Sequence, residues 1–457
     1  MDVLLVFVSS PVLRKSYRDH FCSPPLGILY LSAYLKKALG LRAELIDLQR
    51  DEWSREAFRE QLAVGRPKIV GLSVSTEAHQ NAQDIAAAVK SVLPSTRVVL
   101  GGIDAAFVEP EEFRQWRHVD VLVRGEGEVT FTELVRHVLQ HPGAKPLDQI
   151  AGLTFKTDAD VRVNPRRELI ADLDSLPFPD WALVDGPLRQ GAYRIPFTIS
   201  TSRGCPGNCI FCSSRAFWGS KVRFRSPANI LAELTMLMKE YHMRSFHIID
   251  DTFTARPKAV MELCRLLQEC KTNVFWSCES RVDVITAELL QRMYDAGCRG
   301  IQFGIESGVQ EVLDAIGKHV TVEQIEQAVR LACRLPGLGV TGSFIIGHYC
   351  DTPATMLQTI HFVKRLADTY GVVPFLSINT PFPGTPQFVN RERLGLTIHT
   401  QELEDPVLPR VHASGPGFSV GDLRRIAIYG RDRLSRYVKQ VRATMSKFDA
   451  ETIMAEL

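Results

Sequence analysis

What these 457 residues lack narrows the field first. No run of about 18 apolar residues occurs, so no membrane span is expected. The apolar start, Met1-Asp-Val-Leu-Leu-Val-Phe-Val8, has no basic leader. It reads as a strand rather than a signal peptide, which puts the chain in the cytoplasm, where thiols stay reduced. An excess of one charge is missing as well. Lys and Arg number 54 against 52 Asp and Glu, a net charge of +2, too small for a nucleic-acid surface. The tail carries no basic, aromatic-interleaved module either, which argues against an RNA substrate. Cysteine pairing is scarce: Cys22, Cys264, Cys270, Cys278, Cys298, Cys333 and Cys350 lie scattered and read as buried apolar side chains. What is present is ordinary for a globular protein, 45% hydrophobic and 23% charged, and the length suits two or three domains.

One stretch stands apart, Ser202-Arg-Gly-Cys-Pro-Gly-Asn-Cys-Ile-Phe-Cys-Ser213. Its Cys205, Cys209 and Cys212 are close enough in sequence to converge on one metal centre. Soft thiolates select zinc, copper(I) or iron–sulfur clusters. Zinc normally takes four protein ligands in two separated pairs, and no second pair follows. Three cysteines on a four-iron, four-sulfur cluster leave one iron without a protein ligand, and a small molecule can chelate there.

Residues 1–140 alternate short apolar strands with amphipathic helices, the pattern of a parallel sheet covered on both faces. Strands are expected at Asp2–Val8, Ala43–Asp47, Lys68–Ser73, Arg97–Leu100 and Val119–Val123. The loops after them hold Ser73-Val-Ser-Thr76, Gly101-Gly102 and Gly125-Glu-Gly-Glu128, and such loops carry the ligand in these sheets. Their spacing is not G-x-G-x-x-G, so no dinucleotide fingerprint is present. A hairpin at 153–163 and the stretch Leu176-Pro-Phe-Pro-Asp-Trp181 mark a junction, because proline disfavours helix at itself and just before. From about residue 196 the alternation resumes as six βα units. Their strand ends carry Asp250-Asp251, Cys278-Glu279-Ser280-Arg281, Glu306-Ser307-Gly308 and Gly347-His348, and ligand groups gather at that end of a barrel. The expected division is 1–145, a linker at 146–195, a barrel at 196–385, and a C-terminal lid with helices at 386–457. Within that last part Asp405–Pro409 reads as a loop over the mouth. Asp422–Lys447 reads as an arginine-rich amphipathic helix, or a pair of helices, whose guanidiniums cover apolar stems.

The cysteine spacing, Gly204 before it and Phe211 just before Cys212 resemble the radical S-adenosylmethionine (SAM) family. The strand–Gly-Gly turn at 98–102 and Arg124-Gly-Glu-Gly-Glu128 resemble the cobalamin-binding-type domain that precedes many such cores. The fold class this implies is α/β: a Rossmann-like doubly wound domain, then a partial (β/α)6 barrel and a short helical tail. The implied cofactors are a [4Fe-4S] cluster on Cys205, Cys209 and Cys212, and SAM on the open iron. An electron from the cluster would split SAM to methionine and a 5′-deoxyadenosyl radical. By the same resemblance Phe211 packs near the adenine, Asp250 or Asp251 lies near the SAM amine, Arg281 pairs with its carboxylate, and Glu306 and Ser307 lie near its ribose or methionine. The strand ending at Gly347 supports the adenine. Cobalamin is the third implied cofactor. Against it, the D-x-H-x-x-G loop of many relatives is missing, His20, His79, His118 and His137 lie outside that pattern, and Asp104 stands where a histidine is common.

Two reactions compete. The compact C-terminus and missing ligand loop resemble the radical SAM diol dehydratases of aminoglycoside pathways, a lyase-type chemistry. There hydrogen abstraction beside a hydroxyl leads to loss of its neighbour and a keto product that a separate reductase finishes. That reading, taken first, makes Glu279, Glu306, Asp250 and His348 the acid–base candidates and an amino sugar the substrate. The alternative is cobalamin-dependent methylation of an unactivated carbon. Both need a reducing protein such as flavodoxin or ferredoxin and take a small-molecule substrate. A non-enzymatic iron–sulfur sensor or scaffold would show no SAM cleavage.

Overall fold

The computed structural model describes residues 1–9, 22–50, 54–158, 160–400, 408 and 411–445, with side chains to 437 in the last helix. His20, most of the expected loop at 405–409 and the last residues of the expected Asp422–Lys447 helix lie outside the described residues. The chain forms two compact units, 1–199 with 223–225, and 200–222 with 226–457.

In the first unit, strands β1 (Val3–Val8), β2 (Ala43–Asp47), β3 (Ile69–Val74), β4 (Arg97–Gly101) and β5 (Val121–Val123) pair in parallel, in the order β2-β1-β3-β4-β5. Successive side chains on a strand point to opposite faces, and the core follows that rule. Leu4 and Val6 pack with Phe58 of helix α1 (Arg55–Gly65) and Ile85 of α2 (His79–Val92). Val3 and Leu5 join Phe131 and Leu134 of α3 (Gly127–Val138) on the other side. A strand buried on both faces must be apolar throughout, which is why Val-Leu-Leu-Val-Phe-Val reads as it does.

The hairpin β6 (Leu153–Lys156) and β7 (Val161–Val163), expected as part of a linker, extends this sheet. β6 pairs antiparallel with β5, Val121 opposite Phe155. An open β5 edge would leave a row of unpaired backbone groups. Buried Asn164 fixes the hairpin by donating to the carbonyls of Leu147 (2.7 Å) and Ile150 (2.8 Å).

The second unit is wound in sequence order. Strands β8 (Ser245–Ile248), β9 (Phe275–Ser280), β10 (Cys298–Glu306), β11 (Gly339–Ile346) and β12 (Val373–Ile378) lie side by side, all parallel, with helices between them. A two-residue strand, Thr198–Ile199, precedes the cysteine stretch. Helix starts follow local rules. Ser226 caps the helix over Pro227–Tyr241, Thr321 forms a capping box with Gln324, and Thr352 one with Thr355 ahead of Pro353.

The long helix over Val420–Met445 buries Leu423, Ile426 and Ala427 against Ile346, Met356 and Ile360. Its arginines stay outside: Arg425 pairs with Asp422, Arg436 with Asp368, and Arg433 covers the Tyr429 ring. The guanidiniums therefore form a solvated face with local partners.

Candidate functional site

The cysteine loop is held from several sides. Asp250, buried just past β8, accepts from the Thr201 N–H (2.7 Å), the Ser202 hydroxyl (2.7 Å) and the Thr201 hydroxyl. Its carboxylate is thereby committed to the chain leading into Cys205, and Asp250 stands as an anchor rather than an acid–base group. Further on, the Ile210 N–H donates to the Ile316 carbonyl (3.0 Å), and the Gln387 N–H donates to the Ile210 carbonyl (2.9 Å).

All three cysteines are free and partly exposed. The N–H of Gly207 points at Cys205 Sγ and that of Ser214 at Cys212 Sγ, each at 3.4 Å. Residue 207 sits close among these groups. A Cβ there would lie 3.1 Å from Arg281 Nη1, 3.4 Å from Cys205 Sγ and 3.8 Å from Cys209 Sγ. Burial pushes the Cys212 thiol up to about 12, with Asp251 adding to the rise against the Ser214 N–H. Burial also raises Cys209, against the pull of Lys318 and Arg281. Such sulfurs become thiolates only when a metal supplies positive charge.

Among the described residues no three His, Cys, Asp or Glu side chains are grouped to hold a single metal ion. Three thiols on one short loop, two of them beside Gly207, suit a larger object. A cubane takes one thiolate per iron, so the donor set fits a cluster with one iron left open.

The strand-end residues divide into engaged and open groups. Arg281 gives its fork to Asp283, Nε to Oδ1 at 2.9 Å and Nη2 to Oδ2 at 3.0 Å, and Nη2 also donates to the Lys318 carbonyl (2.9 Å). Sequence reasoning reserved that fork for the SAM carboxylate. The geometry leaves only the Nη1 side facing the cysteine loop. Glu306 ends β10 with φ of +71°, beside an irregularity in the β10–β11 register. It pairs with Lys318 Nζ at 2.7 Å, both side chains being under 10% exposed. Burial disfavours the Lys318 charge, but Glu306 and Cys209 outweigh it and raise its pKa. Lys318 was missed in the sequence because nothing local marks a lysine twelve residues on as the partner of a strand-end carboxylate.

Ser307 turns inward to Thr359 Oγ1 (2.9 Å) and accepts from the Val309 N–H (3.2 Å). It is buried and holds the turn. Gly347 turns at φ of +85°, and its N–H and that of His348 both donate to Asp351 Oδ2 at 2.9 Å. His348 lies fully buried 5.2 Å from the Phe211 ring, and neither ring nitrogen meets a hydrogen-bond partner among the described residues. Burial, with Lys318, pulls it down to about 3. A neutral imidazole with no exposed atom is not placed to exchange protons with a substrate. Asp251 is exposed and accepts from the Ser214 hydroxyl at 2.8 Å. Glu279 is half-buried and has no hydrogen-bonding or ion-pairing partner among the described residues. Burial, then Asp251 and Glu306, raise its pKa to about 7.

In the first unit the strand ends form a second edge. Gly102 has φ of +91°, and a Cβ there would meet the Val74 carbonyl oxygen at 2.6 Å. The turn after β4 therefore lies flat on the end of β3 only because residue 102 is glycine. His79 stands at this edge, with Nδ1 2.8 Å from Asp104 Oδ2, Nε2 3.6 Å from Glu112, and its ring against Trp116. Glu126 of the Arg-Gly-Glu-Gly-Glu segment accepts from the Ile170 N–H (2.7 Å) and from Arg223 at 2.9 Å. That glutamate holds the unit together. The turn carries no side chain at residue 102, and a cofactor held at this edge would be gripped by backbone and shape, without a D-x-H-x-x-G histidine.

Comparison with known proteins bears on both edges. The Radical SAM superfamily model matches residues 199–363, and the B12 binding domain model matches 18–135. An uncharacterised methyltransferase of Pyrococcus horikoshii is 33% identical over 395 residues, 85% of this chain and 84% of that protein. The anaerobic magnesium-protoporphyrin IX monomethyl ester cyclase of Rubrivivax gelatinosus is 30% identical over 350 residues, and the match spans 75% of this chain and 62% of the cyclase. Among solved structures, the radical SAM methyltransferase TsrM of Kitasatospora setae, with cobalamin and a [4Fe-4S] cluster bound, superposes with a TM-score of 0.72 over 93% of this chain and 91% of that one, at 19% identity. A thiol triad with one iron to spare, strand-end groups around it and a B12-type sheet ahead of it thus place this chain in the radical SAM superfamily, among its members that carry a B12-binding domain.

Proposed function

We propose that the protein is a cobalamin-dependent radical SAM methyltransferase acting on an unactivated carbon of a small molecule. The observation that carries this reading is the pairing of the cysteine loop with a B12-type domain, in a match over 85% of this chain to a relative named as an uncharacterised methyltransferase. The dehydration favoured by sequence reasoning finds no support among these relatives, and a partner reductase goes with it.

Cys205, Cys209 and Cys212 would hold the cluster, and Phe211 would pack near the SAM adenine. When bound, the cluster supplies the electron that splits SAM and the corrinoid carries the methyl group. The chain's own residues position these groups. Asp250 holds the cysteine loop, and the Arg281–Asp283 and Lys318–Glu306 pairs fix charge beside it. The Gly102 turn keeps the edge of the first sheet flat. A methyl transfer by radicals needs no acid–base relay, which agrees with a site whose histidine is shut away and whose carboxylates, Glu279 apart, are engaged. A flavodoxin or ferredoxin would deliver electrons. Among the described residues no helix is long and apolar enough to cross a membrane.

The test is anaerobic. Protein reconstituted with iron, sulfide and hydroxocobalamin should keep about one corrinoid per chain through desalting, read from its visible spectrum. With SAM and reductant it should form 5′-deoxyadenosine and pass a labelled SAM methyl group to product. SAM cleavage by protein that retains no corrinoid overturns the methyltransferase reading.

A further inference from the structure

The five strands of the second unit carry two sets of side chains. One set is buried: Phe246 and Ile248, Trp276 and Cys278, Ile301 and Phe303, Phe344 and Ile346. The alternate set is partly exposed and points to the opposite, inner face. Parallel register joins this second set into rows. Glu279 stands beside Gln302, and Gln302 beside Thr341; Gly304 is followed by Ser343, and His247 by Ser277. His247 Nδ1 lies 2.8 Å from Ser277 Oγ, and burial pulls the ring down to about 4, so it is neutral. Ile249, Ile345 and Phe375 add apolar surface to the same face.

Charge on this face is one-sided. Arg281 is forked onto Asp283, and Lys318 is closed onto Glu306. No strand from β8 to β12 contributes a lysine, and Arg299, the single arginine on them, donates to the Tyr294 and Cys298 carbonyls. Glu279 is left as a carboxylate with no cation of its own among the described residues. A half-buried carboxylate without a partner is disfavoured by desolvation, and a ligand cation is what relieves it.

We propose that Glu279 selects the substrate by its charge: the substrate is a compact, hydrophilic molecule with an ammonium group that seats on Glu279, its polar remainder against Gln302, Thr341 and Ser343. This rests on the reading that the inner face takes a small-molecule substrate, and it sets this chain apart from relatives whose named substrate is a tetrapyrrole ester. The ammonium of SAM itself is the competing occupant, and the experiment separates the two.

Cluster-loaded, SAM-bound protein is titrated calorimetrically under argon with ethanolamine, glucosamine, putrescine and tryptamine. Each amine is run against its neutral counterpart: ethylene glycol, glucose, 1,4-butanediol and tryptophol. At least one amine should bind tenfold or more tighter than its neutral partner. Glu279→Gln should bring that ratio to about one, Glu279→Asp should keep part of it, and Gln302→Glu, in the adjoining row, should increase it. No amine preferred anywhere in the panel, or a preference that survives Glu279→Gln, overturns the proposal. So does a tenfold loss of SAM affinity in Glu279→Gln with the amine ratio intact, which gives the carboxylate to SAM. Binding of the probes requires neither corrinoid nor methyl transfer, so failure of the methyltransferase reading would appear separately, in the label and corrinoid assay.

Discussion

Lys318→Met is the sharpest perturbation the structure offers. It removes the partner of Glu306 and leaves a carboxylate that is 7% exposed at a backbone φ of +71°. Breaking a buried pair from one side costs about 3–5 kcal/mol, because the remaining charge is stranded. For a unit of this size, where 1 kcal/mol moves the midpoint by roughly 2–4 °C, that is a fall of about 6–20 °C for the second unit. Burial disfavours the Lys318 charge, but Glu306 and Cys209 outweigh it and raise its pKa, so the contribution of the pair is present at neutral pH and is lost only as pH climbs through the raised lysine value. Lys318→Met with Glu306→Gln should recover most of the loss, since no charge is left stranded. Urea unfolding of parent, singles and double at pH 8, followed by tryptophan fluorescence, gives the cycle. A Lys318→Met single variant within 1 kcal/mol of the parent at pH 8 would refute the argument that this pair is closed and dry.

Three further outcomes follow from the same geometry. Cys209→Ala should take up no [4Fe-4S] cluster on reconstitution and form no 5′-deoxyadenosine with SAM and dithionite; product formation would show the cluster assignment to be wrong. Gly102→Ala puts a methyl 2.6 Å from the Val74 carbonyl oxygen at a φ that disfavours it, with strain of about 1–3 kcal/mol. It should lower corrinoid retention after desalting while SAM cleavage continues. His348→Leu exchanges two buried, unpartnered nitrogens for methyls, and leaving such a group unmade carries a penalty of about 1–3 kcal/mol. Thermal unfolding should show the variant at least as stable as the parent, with 5′-deoxyadenosine formation retained; loss of that activity at full stability would restore a chemical role to the ring.

Much of the architecture was legible because its signals are local. Val-Leu-Leu-Val-Phe-Val can only be a strand buried on both faces, and Thr-Pro at 352–353 announces a helix start. The hairpin at 153–163 was legible as a hairpin, but its place on the edge of the first sheet was not, because strand pairing across 30 residues leaves no spacing rule. The cysteines were legible as a unit for the same reason that strands were. The strand-end groups could be found but not sorted. That Asp250 anchors Thr201 and Ser202, that Arg281 is closed onto Asp283, and that Ser307 faces Thr359 depend on which way a side chain turns after its strand ends. The relatives support the alternative reaction class over the one taken first, which leans on an absent histidine loop. A glycine-lined edge can hold a planar ligand by shape, and no single residue type announces that.

The two backbone bonds that grip Ile210 have a consequence for biogenesis. One comes from Ile316 and the other from Gln387, and Gln387 lies 387 − 212 = 175 residues beyond the last cysteine. At a synthesis rate of about 5–20 residues per second, the thiols leave the ribosome roughly 10–35 seconds before their cradle is complete. During that interval they are open to oxygen and to stray zinc. A polypeptide cut before residue 387 would present the ligands without the Gln387 half of their seat.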